Sequence, residues 1–210
     1  MVLLRPGAGD EPSLNTFGLK ETNMDRLVEI LINTYPKKVL LDDNSEVTFR
    51  PLRKADEMAL ADFFKDLPLK ERACLKEDVA DPKVIENWIY LLDYDNVLPI
   101  IATDNGKIVG DATLHFSPVG WTRHQGEIRL TTDLNYRGKG LGTRLAQDIV
   151  DIAKELGIEL LSIEMAPELH EAFSLFEKLG FKREAVLKGF IIDLDGNETD
   201  LVLMTKHLNE

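Results

Sequence analysis

Met24, Leu27, Val28 and Leu31 recur at helical spacing behind a capping Asn23 and as far as Tyr35-Pro36, which predicts a first helix. Ahead of it, Met1 to Thr22 mixes Gly, Pro, Asp and Ser without a period and reads as an irregular arm. Two short β-rich runs, Val39 to Leu41 and Val47 to Phe49, flank Asp42-Asp43-Asn44-Ser45 and predict a hairpin that leaves through Arg50-Pro51-Leu52. The period then turns helical twice. Leu60, Ala61, Phe64 and Leu67 share one face of a helix over 56–67 that Pro68 stops. Asp81-Pro82 opens a second helix carrying Val84, Ile85, Trp88, Ile89 and Leu92.

Strands follow over 97–103 and 107–116, separated by Asp104-Asn105-Gly106, whose Asn-Gly pair signals a hairpin. After a loop over 117–125, the run from Gly126 to Asp133 alternates, with Ile128 and Leu130 on one face and Glu127, Arg129 and Thr131 on the other. Leu141, Leu145, Ile149, Ile152 and Leu156 mark an amphipathic helix closed by Gly157. A strand over 158–165, a helix over 168–179 closed by Gly180, and strands over 181–193 and 201–205 around Asp195-Gly196 complete the pattern.

The candidate chemistry lies where the polar-faced strand runs through Arg137-Gly138-Lys139-Gly140-Leu141-Gly142 into the strongest helix. A helix start leaves backbone N–H groups unpaired at the positive end of the dipole, where they converge on a pyrophosphate. Glycines let the phosphate approach the backbone, and Arg137, Lys139 and Arg144 add positive charge. The spacing matches neither Gly-x-x-x-x-Gly-Lys-Ser/Thr nor Gly-x-Gly-x-x-Gly, which removes the P-loop and dinucleotide-fold readings.

Composition narrows the remaining options. The 210 residues suffice for one substantial domain with or without a folded extension. A formal net charge of -12 argues against general nucleic-acid binding while leaving room for a local basic loop. No apolar run approaches the roughly 20 residues that span a bilayer, and the opening residues are too short for a secretory signal. Cys74 is the only cysteine, so neither an internal disulfide nor a cysteine-rich zinc site is expected. A soluble cytoplasmic protein without a metal fits these features.

Arg137, Gly140 and Gly142 match the Arg/Gln-x-x-Gly-x-Gly/Ala hallmark of the GNAT superfamily of acyltransferases, which the chain resembles over about 47–208, including Leu175-Phe176-Glu177-Lys178-Leu179-Gly180-Phe181. The resemblance implies an α/β (α+β) GNAT fold, a mixed and mostly antiparallel splayed sheet flanked by helices. It would span 46–210 behind an N-terminal extension over 1–45. Acetyl-CoA would be the cosubstrate, its pantetheine arm against the backbone of Leu130, Thr131 and Thr132 and its pyrophosphate on Arg137, Gly138, Lys139, Gly140, Leu141, Gly142 and Thr143. The run from Val39 to Leu52 also resembles the start of the GNAT domain in bacterial protein-lysine acetyltransferases. That tilts the acceptor amine toward a protein lysine, with a polyamine, an aminoglycoside-like compound or a non-catalytic acyl-CoA sensor as rivals. Residues 1–35 are open to two roles, covering the acceptor groove or making a homodimer contact.

A lysine ammonium titrates near about 10.4, so an amine acceptor calls for a base. The resemblance puts Glu127 in that role, against the alternative of a solvated glutamate paired with Arg129. Phe176 stands where many relatives carry a tyrosine acid, so no protein acid is expected, and Leu169 stands where many carry an asparagine that helps hold the cofactor or a water, so that contact is not expected. His124 is a second candidate base, His115 is expected to end a strand, and Cys74 is expected to be buried packing. Trp88, Trp121, Phe116 and Phe190 are candidate walls of an acceptor pocket, with core packing as the default for each.

Overall fold

The computed structural model describes residues 23–193 and 195–209; the arm expected over residues 1–22 lies outside them. Helix α1 (Asn23–Thr34) leads into strands β1 (Lys37–Leu40) and β2 (Glu46–Pro51), followed by α2 (Glu57–Lys65), α3 (Leu69–Arg72) and α4 (Pro82–Tyr90). The order continues with β3 (Val97–Asp104), β4 (Lys107–Phe116), β5 (Gln125–Thr132), α5 (Leu141–Glu155), β6 (Leu160–Met165), α6 (His170–Lys178), β7 (Lys182–Ile192) and β8 (Glu198–His207). Between the first hairpin and β3 there are therefore three α-helices rather than two. The extra one, α3, is a four-residue turn, too short to carry a hydrophobic period. Asp81 caps α4 as its sequence predicts, its carboxylate accepting from the Lys83 N–H.

The strands form one sheet in the order β1-β2-β3-β4-β5-β6-β8-β7. Every pairing is antiparallel except β5 with β6. Alternation along β3 divides the interior: Leu98, Ile100 and Ala102 join a core with α1, α5 and α6, while Ile101 joins a second core with α2 and α4. Residues 23–45 share this architecture. Leu27, Ile30 and Leu41 belong to the larger core, and the 45/46 boundary falls in the turn between β1 and β2.

Two features place the loop before α5. Leu141, Leu145 and Ile149 are fully buried, and at about 1.5–3 kcal/mol each they outweigh the ~1 kcal/mol of a typical cap. The helix start is accordingly fixed by packing, with Gly140 at the N-cap supplying no side-chain bond. Asp148, on the buried side of α5, accepts from the Tyr35 hydroxyl and the Lys37 ammonium. A buried carboxylate requires such partners, and here they tie the β1–β2 hairpin to α5. No helix among the described residues is long and apolar enough to cross a membrane.

Candidate active site

The loop into α5 combines free helix-start donors with three basic side chains, each already facing an acid. Gly138 and Gly140 have φ of +69° and +80°, a region that L side chains seldom adopt. Gly142 serves another purpose: a Cβ there would lie 3.1 Å from Leu175 Cδ1, so its absence lets α5 pack close to α6. Arg144 pairs with Asp42 at 3.0 Å, Lys139 with Asp43 at 3.0 Å, and Arg137 with Glu71. The Asp42 N–H also donates to the Lys139 carbonyl at 3.0 Å. Hydrogen bonds from Ser45 first, then from Lys139, hold the Asp43 carboxyl well below the usual carboxylate range. The acidic turn between β1 and β2 thus lies against the basic loop.

Strands β5 and β6 pair only at Gln125–Leu160, Gly126–Leu161 and Glu127–Ser162. Beyond that apex they diverge, and the β5 backbone from Ile128 to Thr132 has no strand partner on its β6 side. This open edge includes Leu130, Thr131 and Thr132 and runs toward the loop, where Leu130 and Thr132 lie beside Gly142. Five residues at ~3.3 Å each give an edge roughly 16 Å long. An extended chain of alternating amides and methylenes can pair along it, so the edge and the helix start suit the two halves of coenzyme A.

Glu127 stands at the apex. Its Oε1 is 2.7 Å from Lys76 Nζ and 3.0 Å from Arg129 Nε, and Lys76 Nζ is also 2.7 Å from Glu164 Oε2 on β6. Lys76 therefore bridges the two strands across their divergence. Burial works to raise the Glu127 carboxyl, but the hydrogen bonds from Lys76 and Arg129 outweigh it and hold the group below its ordinary range. His115 is directly opposite Glu127 on β4. Burial, then the Arg129 cation, pushes its imidazole down to about 4, so it is neutral near pH 7.

Beside the apex, α2, α4 and the sheet enclose a cavity of about 270 Å³. Leu52, Leu60, Phe64 and Trp88 wall it, and Asp111, Thr113, His115, Arg129 and Thr131 form its polar floor, with Lys76 also lining it. Burial pushes the Asp111 carboxyl up to about 7, against a hydrogen bond from Thr113 at 3.2 Å that works the other way. No cluster of His, Cys, Asp and Glu among the described residues is arranged to hold a metal ion.

The other candidates separate cleanly. Cys74 is exposed rather than buried, because it follows the single turn of α3 at the surface. Partial burial of its sulfur, then Glu168 and Glu71, raises the thiol pKa, which disfavours the nucleophilic thiolate. Trp88 lines the cavity; Phe116 packs on the larger core, and Trp121 and Phe190 are exposed. Phe176 is buried edge-on against Phe181, and Leu169 caps α6 without a side-chain bond. The Tyr136 hydroxyl donates to Asp104. His124 is half-buried, and its carbonyl accepts from the Glu159 and Leu160 N–H groups. Sequence patterns miss Lys76 and Glu164, which meet only across the fold. Asp111 does leave a signal, a lone acid within an apolar strand.

Known proteins share this fold. The chain is 26% identical over 110 residues to N-alpha-acetyltransferase 30 of Schizosaccharomyces pombe, a match covering 52% of this chain and 73% of that one. It spans only 50% and 46% of two other curated relatives. The fold superposes on the GNAT domain of S. lividans PAT with a TM-score of 0.68 at 17% identity, covering 81% of this chain and 96% of that domain. It also superposes on yncA of Salmonella typhimurium, a putative acetyltransferase solved with its cofactor acetyl-CoA, with a TM-score of 0.67 at 22% identity, covering 79% and 96%. Residues 59–181, more than half of the sequence, match the acetyltransferase (GNAT) family. The chain belongs to that family.

Proposed function

We infer that the acceptor is the amine of a lysine side chain on a protein, delivered from the cavity side of the sheet to the β5–β6 apex, with Glu127 as general base. The supporting observation is Lys76. Its side chain lies at the cavity rim with its ammonium 2.7 Å from Glu127 Oε1, so the site accommodates a four-carbon stem ending in an ammonium. Acetyl-CoA lies with its pyrophosphate on Arg137, Gly138, Lys139, Gly140, Leu141, Gly142 and Thr143 and its arm along Leu130, Thr131 and Thr132. Its thioester then reaches the apex.

An incoming ammonium displaces Lys76, gives a proton to Glu127, and attacks the thioester carbon with the freed lone pair. The N–C bond forms and the C–S bond breaks, the nitrogen gives its second proton to solvent, and the thiolate takes a proton from solvent, since a thiol of pKa near about 8.5 is a tolerable leaving group. A small amine with an apolar body is the second reading, favoured by the cavity walls and by Asp111. Thiol release from acetyl-CoA against lysine-bearing proteins, polyamines and small amines separates the two. Glu127→Gln is expected to bind acetyl-CoA normally and to turn over about 10²-fold more slowly or worse; parental activity in that variant would remove Glu127 from the mechanism.

A further inference from the structure

Lys76 also meets the conditions for being an acceptor itself. It lies on the segment between α3 and α4, and its Nζ is 2.7 Å from both Glu127 Oε1 and Glu164 Oε2. Those carboxylates belong to the two strands whose divergence begins at Glu127 and Ser162. Glu164 lies two residues past Ser162 and on the same face, so the ammonium spans the opening itself. The other cation on Glu127 is Arg129, whose guanidinium is no acyl acceptor. Among the described residues, Lys76 is the lysine whose ion pair reaches the proposed base.

We propose that the chain acetylates its own Lys76 in cis, from acetyl-CoA bound along the open edge of β5. The inference rests on the reading of the apex as the acyl-transfer site. Lys76 Nζ passes a proton to Glu127 and attacks the thioester carbon. The N–C bond forms and the C–S bond breaks, the nitrogen gives its second proton to solvent, CoA leaves as the thiolate and takes a proton from solvent, and the lysine becomes a neutral N-acetyl-lysine. The charge consequence is local: the cation shared by Glu127 and Glu164 disappears. Removing it relieves one of the two cations that hold the Glu127 carboxyl low, leaving Arg129 in place, and makes Glu127 a stronger base for amines from outside.

The test is incubation of the full chain with acetyl-CoA, followed by intact-mass measurement and peptide mapping over time. Lys76 is expected to be acetylated ahead of exposed lysines such as Lys65 and Lys178, to a stoichiometry near one. The fractional rate should not depend on protein concentration, as an intramolecular step requires. Glu127→Gln should slow acetylation of Lys76 about 10²-fold or more without slowing that of Lys65. Lys76→Arg keeps the charge and should remove one acetyl group from the total. A chain that binds acetyl-CoA and acetylates added amines while leaving Lys76 unmodified overturns this inference and leaves the proposed function standing. So does acetylation of Lys76 at the same rate in Glu127→Gln, which marks it as uncatalysed. Failure to bind acetyl-CoA at all removes the proposed function and this inference together.

Discussion

The loop before α5 and the apex of β5 and β6 are mirror images in charge. At the loop, cations suited to an anionic ligand face the protein's own carboxylates; at the apex, carboxylates suited to a cationic amine face the protein's own lysine. The arrangements differ in connectivity. The loop has three separate pairs, donated by the β1–β2 turn and by α3, and Asp42 is 58% exposed. Such surface pairs are worth little individually, so phosphate oxygens can replace them one at a time while the helix-start N–H groups stay in place. At the apex one ammonium is shared by two acids on two strands, and displacing it takes that cation from both at once. On the proposed function, binding at the loop is thus graded, whereas entry of an amine at the apex is closer to an exchange of one cation for another.

Gly140→Glu is the strongest way to break this contrast. It forces a side chain into a left-handed position and sets a carboxylate beside Asp42. Acetyl-CoA binding should become undetectable by calorimetry, and unchanged affinity would remove the phosphate-loop reading. Asp148→Ala comes next. It deprives the Tyr35 hydroxyl of its acceptor and cuts the tie between the hairpin and α5. Urea denaturation should show a loss of about 1–3 kcal/mol, and a neutral result would mean that the hairpin is held by apolar packing alone.

A smaller effect, with a sign fixed by linkage, is expected at Asp111. Its carboxyl titrates at about 7 in the fold, raised by burial from an ordinary aspartate value of 3.8. Between those limits the native state keeps a proton that the unfolded chain releases, so Asp111 costs stability increasingly as pH rises and fully above about 7. Asp111→Asn should therefore raise Tm more at pH 8 than at pH 5, and an equal gain at both would show that burial does not perturb the acid. Smallest is Asp42→Asn, which removes one loop carboxylate and keeps its shape. Acetyl-CoA should bind more tightly by up to about fivefold in a titration; weaker binding would recast Asp42 as a support of the loop.

Several elements are legible in sequence because a single local rule specifies each. The Asn105-Gly106 turn takes positive φ at both residues, 48° and 84°, as the hairpin type demands, and α5 follows its apolar stripe to within a residue. The four-residue α3 escapes because it is one turn long. The exposure of Cys74 escapes for a related reason: propensity for burial is an average over cysteines, while its place after that turn is particular to this chain. Glu127 is readable as a polar residue on the strand ahead of the loop. Its contact with Arg129, two residues on along the same face, is readable too, but the rest of its surroundings at the apex is not, because Lys76 and Glu164 come from a segment without periodicity and from another strand.

By itself the sequence determined the order of the strands and of every helix but α3, the glycine loop and the family, all of which rest on patterns a few residues long. Tertiary structure alone decided that Asp42 and Asp43 would meet the basic loop, that β5 and β6 would part after Glu127, and that Lys76 would sit between two acids. The physical reason is that each of these depends on chain segments far apart in sequence being brought within an ion pair's reach. Sheet register and core packing set that distance, and no local pattern encodes it.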